Sequence, residues 1–108
     1  MKEIKITFDL SPELELVDGV LTLTKDTVTA EYNSTKIEYS IRDIEEAVQY
    51  TDIGCGRLEL KVKNGKGDQS DNLPLCRFLM TYESEIGKFT TILNHLINIG
   101  LLTDIYIK

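Results

Sequence analysis

The feature that most constrains this chain is a change of hydrophobic period near Met80. From residue 4 to residue 79 apolar and polar residues alternate with a period near 2, and turn signals recur about every eight to twelve positions, the pattern of short antiparallel strands. Beyond Met80 the period becomes helical. Ile86, Phe89, Leu93, Leu96 and Ile97 follow a 3.6-residue spacing, and Glu83, Glu85, Lys88, Thr91, Asn94 and His95 lie mostly off that stripe. Strands of four to seven residues with a single one-sided helix cannot cover themselves on both faces, so the two kinds of element must pack on each other.

The expected strands are Ile4 to Phe8, Leu14 to Val17, Val20 to Thr24, Val28 to Tyr32, Lys36 to Tyr39, Ile44 to Thr51, residues 57 to 63, and Leu73 to Met80. Asp18-Gly19 is the dipeptide that best tolerates the positive φ of a tight hairpin, and is expected to separate the second and third of these. Lys25-Asp26 and Asn33-Ser34 supply the next turns. Ile41 to Ala47 also fits a helical turn, and is read as a short turn followed by a strand. The clearest alternation is Arg57-Leu58-Glu59-Leu60-Lys61-Val62-Lys63, with Leu58, Leu60 and Val62 on one face and charges on the other. Asn64-Gly65 opens a polar loop through Asn72 that is too poor in apolar residues to order itself. The helix is expected to span roughly 16 residues, with acidic residues at its positive end and Gly100 at the left-handed C′ position. The tail 101–108, apolar at Leu101, Leu102, Ile105 and Ile107, is read as a last short strand or a linker.

One domain follows from 108 residues, and that length buries a real core without disulfide or metal staples. The expected class is α+β, mainly β: a bent antiparallel sheet or barrel of five to seven strands capped by one C-terminal amphipathic helix. A pleckstrin-homology-like (PH-like) barrel fits best, with a plain α+β meander carrying its helix on one face as the alternative.

Twelve Lys and Arg against 18 Asp and Glu leave a net charge of −6, which argues against a nucleic-acid module and against a broadly cationic membrane face. The N-terminus has no continuous apolar stretch of the kind a secretory signal needs. Residues Phe89 to Leu102 are interrupted by Asn94, His95 and Asn98, and fall short of a bilayer span. The expected location is cytoplasmic.

No catalytic constellation is legible. Cys55 lies in Gly54-Cys55-Gly56, but a cysteine nucleophile needs a base or a positive environment, and the single His, His95, is on the distant helix. Gly-Cys-Gly reads as a turn or bulge with the thiol packed inward. If residues 57 to 63 pair with 73 to 79, Cys76 falls near Leu60 and too far from Cys55 for a disulfide, so two free thiols are expected. His95 alone makes no zinc site. Asp68 and Asp71 lack the ordered oxygen ligands of a cation loop. Neither a cofactor nor a metal is expected, nor is catalysis.

Charge is unevenly placed. Arg57, Lys61, Lys63, Lys66 and Arg77 gather on the exposed side of the last hairpin, whereas acidic residues dominate Asp43 to Asp52 and the start of the helix. The basic strip could meet an acidic partner or lipid headgroups, but Glu59 sits within it and Asp68 and Asp71 cap its end, so pairing of these charges with one another, such as Glu59 with Arg77 across strands, is the favoured reading. A partner surface should lie at the boundary of the two regions. Phosphoinositide-binding PH domains use a basic first hairpin loop; with only Asp18-Gly19 there, headgroup binding is not expected.

The hairpin Asp18-Gly19-Val20-Leu21, the run Ile53-Gly54-Cys55-Gly56-Arg57-Leu58-Glu59, the strand end Arg77-Phe78-Leu79-Met80-Thr81 and the helix with Phe89 and Leu96 carry a resemblance. Over most of residues 10 to 98 the chain resembles the PH-like N-terminal cytosolic module of bacterial ABC exporter half-transporters. The resemblance implies a non-catalytic accessory domain that docks on its own transporter or a neighbour, with membrane contact only through it. No ATPase residue of that family has a counterpart here. The alternative is a free-standing acidic partner-binding protein of immunity or inhibitor type, which calls for a basic partner.

Overall fold

Alternating strands pair with their neighbours first, because a tight turn brings the next strand alongside at little entropic cost. The computed structural model, which describes residues 3–62 and 72–107, follows that rule with one exception. The strands are β1 (Ile4–Leu10), β2 (Leu16–Leu23), β3 (Thr27–Tyr32), β4 (Thr35–Ser40), β5 (Ile44–Thr51), β6 (Cys55–Val62) and β7 (Asn72–Leu79). A 3-10 turn at Ile41–Asp43 precedes β5, another at Met80–Tyr82 follows β7, and the helix α1 runs from Glu83 to Ile107. The strands form one antiparallel sheet in the order β4-β3-β2-β1-β7-β6-β5. The exception is that β4 and β5 do not pair with each other, and the two halves join instead at a seam between β1 and β7, which meet through the bridged pair Leu10 and Arg77. The mainly-β, α+β class is the one that the change of period requires.

Two strands at the ends of the sheet, β4 and β5, are consecutive in sequence and joined only by the Ile41–Asp43 turn. The sheet therefore curls, and a single apolar cluster draws on all parts of it. Phe8, Leu21, Leu23, Val28 and Ala30 come from one half, and Ile44, Leu58, Leu60, Leu75 and Phe78 from the other. Ile86, Phe89, Leu93 and Ile97 of α1 close the cluster and are all buried. No buried side-chain nitrogen or oxygen among the described residues lacks a partner.

Two phenylalanines are seated over cross-strand glycines. Phe8 of β1 pairs with Gly19 of β2, and Phe78 of β7 pairs with Gly56 of β6. A Cβ built on Gly19 would lie 2.3 Å from the Phe8 ring, and one on Gly56 would lie 2.5 Å from the Phe78 ring. Each ring thus covers backbone that a side chain would otherwise shield, the aromatic rescue of a strand glycine.

That arrangement corrects the expected hairpin at Asp18-Gly19, which is interior to β2. Gly19 is there for the Phe8 ring, not for a positive φ. The turn lies at residues 11–15 instead. Ser11 Oγ accepts hydrogen bonds from the backbone N–H groups of Glu13 and Glu15, at 3.3 and 3.1 Å, and Leu14 adopts φ 68°. The Asn33-Ser34 turn forms as expected, with φ of 46° and 64°, the primed turn that matches strand twist.

Two further expectations change. The helix spans 25 residues, passing through Gly100 to Ile107, so the tail is helical rather than a last strand. Glycine costs about 1 kcal/mol in a helix interior, too little to stop one that is otherwise favoured. Cys76 faces Leu58 rather than Leu60, because β6 and β7 pair with Arg57 opposite Arg77, two residues from the expected register, and a bulge follows Leu58. That bulge turns neighbouring Leu75 and Cys76 both inward. Both thiols are free, with Cys55 half-buried and Cys76 fully buried. Of the polar loop expected from Asn64 through Asn72, Asn72 instead opens β7, and residues 64–71, with Lys66, Asp68 and Asp71, and Lys63 beside them, lie outside the described residues.

Candidate docking surface

On the outer face of β5, β6 and β7 the register places Arg57 directly opposite Arg77. Two like charges at that separation repel, and the fold answers with Asp52 at the start of the β5–β6 connection. Arg57 Nη1 donates to Asp52 Oδ1 and Oδ2 at 2.6 and 2.8 Å, and Arg77 Nη1 donates to Oδ2 at 3.2 Å. Arg57 Nε donates to Glu59 Oε2 at 2.9 Å, and its guanidinium lies 4.4 Å from the centroid of the Tyr50 ring. The hydrogen bond to Asp52 is the first cause that holds the Arg57 pKa above its ordinary value. Tyr50 Oη in turn accepts from Asn72 Nδ2 at 3.2 Å.

The structure thus brings Arg57 and Arg77 together, as residues of an ion-paired cluster rather than of a bare basic strip. Lys61, half-buried, faces Glu46 on β5 and Asn72 on β7. Lys63 and Lys66 lie outside the described residues. Pairing of Glu59 with Arg77 is not seen: Glu59 takes Arg57, and Arg77 turns to Asp52 and to the β1–β2 turn. Asp52, the last acidic residue of its run, meets both arginines of the basic segment.

Arg77 also ties two loops together. Its Nε donates to the carbonyl of Pro12 at 3.1 Å while its Nη1 holds Asp52. The β1–β2 turn and the β5–β6 turn therefore sit on either side of one guanidinium. Exposed apolar side chains lie on or beside each, Leu14 in the first with Leu16 at the start of β2, and Ile53, fully exposed, in the second. Leu79, at the end of β7, is exposed as well. An ion-paired centre flanked by unburied aliphatic side chains on clamped turns can grip a protein surface with little ordering cost. Sequence reading missed Leu14, Leu16 and Ile53. A signal existed for Ile53, an isoleucine between Asp52 and Gly54 where turn chemistry favours polar residues.

Burial, with the Asp9 carboxylate adding to it, pushes the Cys76 thiol up, so it stays protonated at neutral pH. His95 is exposed on α1. Among the described residues no group of three or more His, Cys, Asp or Glu is placed to hold a metal ion, and no helix is long and apolar enough to cross a membrane. Two open depressions, of about 290 and 430 Å³, flank the Asp18–Asn33 region. Beside them, burial together with Glu13 and Glu15 raises the Tyr32 phenol.

The chain matches no protein-family model, no curated protein and no solved structure.

The clamp has a measurable consequence. Asp52→Ala removes the acceptor shared by two facing arginines, so the variant is expected to melt about 3 °C lower in dilute buffer. Most of that loss should disappear at about 0.5 M salt, where the remaining Arg57–Arg77 repulsion is screened. Thermal melts at two ionic strengths check this, and a deficit independent of salt would refute the electrostatic account.

Proposed function

We propose that this chain is a non-catalytic docking domain, PH-like in architecture, acting as a cytosolic accessory module of a bacterial ABC-type exporter through protein–protein contact. What supports the architecture is the strand order itself. A meander of four strands and a meander of three meet at a one-pair seam, and the C-terminal helix closes the shared core. A bent antiparallel sheet capped by one C-terminal helix is what the PH-like reading calls for. What supports docking is Arg77, which holds the two turns bearing Leu14, Leu16 and Ile53 around an ion-paired centre.

The test begins with the gene. The reading requires transporter segments, membrane-spanning and nucleotide-binding, in the same or an adjoining gene, and their absence from both overturns it. With that transporter co-expressed, Ile53→Asp is expected to reduce co-purification about tenfold, the loss of one buried anchor. The melting temperature should be unchanged, because Ile53 packs against nothing. Undiminished co-purification of an Ile53→Asp/Leu14→Asp variant would show that this surface is not the one used.

A further inference from the structure

The two ends of the sheet are treated differently. At β5 the outer edge is closed by α1. Asn94 accepts from the Ala47 N–H and donates to the Ala47 carbonyl, both at 2.9 Å, so one side-chain amide takes the place of a neighbouring strand. At β4 no described element pairs with the outer edge. Thr35, Lys36 and Glu38 are exposed there, and Ile37 and Tyr39 reach the core but are only half-buried. An edge of this kind is a template for strand addition.

The hairpin determines which backbone groups are free. Tyr32 and Thr35 flank the two-residue turn, so they form a hydrogen-bonded pair, and the alternation then points the backbone of Thr35, Ile37 and Tyr39 toward β3. The Ile41 N–H, which donates to the Asp26 carbonyl at 2.9 Å, keeps the same parity. The groups of Lys36 and Glu38 therefore face outward. A second β4 strand, running antiparallel, must use those same groups. An axis through Lys36 sets lysine against lysine, and one through Glu38 sets glutamate against glutamate. An axis through Ile37 sets Lys36 of each copy against Glu38 of the other and places the two half-buried isoleucines side by side.

We propose that the chain forms a reversible two-fold homodimer by antiparallel pairing of β4 edges about Ile37, giving one continuous sheet with reciprocal Lys36–Glu38 pairs. Within a single chain Lys36 and Glu38 already meet at 3.9 Å, exposed to solvent, and the other hydrogen bond of the Glu38 carboxylate, from Thr29 Oγ1, is long at 3.5 Å, so both side chains can turn to a partner. The interface is independent of the docking surface around Arg77, on which it places no demand. Six residues of edge bury less than a standard stable interface, and each copy carries a charge of −6, so association is expected only at high concentration.

Sedimentation of the intact chain tests it. The expected result is a monomer at about 5 µM and a predominantly dimeric species at about 500 µM. Lys36→Glu should weaken association at least tenfold, and Lys36→Glu/Glu38→Lys, which recreates each cross-strand pair in reverse, should restore it to within about threefold. Both positions are exposed, so unchanged melting curves establish that the variants fold. A chain that stays monomeric at the highest concentration overturns the proposal. So does association that Lys36→Glu leaves untouched, or that the double reversal fails to rescue.

Discussion

Phe78→Ala is expected to destabilise the protein by about 3–5 kcal/mol, the cost of removing a buried ring whose surroundings relax only in part. The ring is fully buried and lies over Gly56, so its loss also uncovers a stretch of β6 backbone that has no side chain of its own. The converse substitution attacks the same contact from the other side. A Cβ at Gly56 would lie 2.5 Å from the ring and 3.1 Å from the Tyr50 carbonyl, and that carbonyl, as backbone of β5, has little room to move. Gly56→Ala should therefore cost about 1–3 kcal/mol through overpacking. In the double variant the new methyl fills part of the space left by the ring, so the combined loss should fall short of the sum by about 1 kcal/mol or more. Urea unfolding of the four proteins measures this. Strict additivity would mean that the ring and the glycine do not depend on each other.

Asn94→Ala is expected to cost about 2–3 kcal/mol, because it strands a donor and an acceptor of Ala47 on the edge of the sheet. Ala47 itself is buried, so water cannot readily replace the lost amide. Asn94→Asp separates the two halves of the interaction. At neutral pH its carboxylate still accepts from the Ala47 N–H but faces the Ala47 carbonyl with no proton to give. The protonated acid can donate, so the folded state favours protonation. Stability of this variant should accordingly rise as the pH is lowered from 7 toward 5, opposite to the usual behaviour of a paired carboxylate. Hydrogen exchange at Ala47, slow in the parent and at least tenfold faster in Asn94→Ala, reports the opened edge directly. Unchanged exchange there would show that the edge is protected by something other than Asn94.

Asn94 also illustrates why parts of the fold were illegible. In the helical pattern it is simply a polar residue off the apolar stripe. Only the packing of α1 along β5 reveals that it stands at the margin of the stripe, where a side-chain amide meets an unpaired strand edge. The same holds for Arg77 and Asp52. Local patterning put Arg57 and Arg77 on one exposed face, but their neutralisation depends on Asp52, which arrives from another connection, and on the Pro12 carbonyl, 65 residues away in the chain. Gly19 misled for a related reason. Asp-Gly is a strong turn signal on local grounds, and what overrode it was the Phe8 ring on a different strand.

Where local chemistry is decisive, the reading from sequence was close. The alternation over residues 57 to 62 and the Asn33-Ser34 turn depend on neighbours along the chain or on one adjacent strand, and they appear as expected. The change of period near Met80 did more than any other feature. It required an antiparallel β-sheet followed by one helix packed on it, because side chains alternate faces in a strand and recur every 3.6 residues in a helix. It did not determine where that helix ends, how the sheet closes or how the charges on the outer face are paired. Those depended on contacts between residues far apart in the chain: the Leu10–Arg77 seam, the two rings over glycines and the amide of Asn94. Their energies exist only once the chain is folded, so no pattern of neighbours encodes them, and it is through them that the tertiary structure clamped the Arg77 turns, closed the β5 edge and left β4 at the end of the sheet.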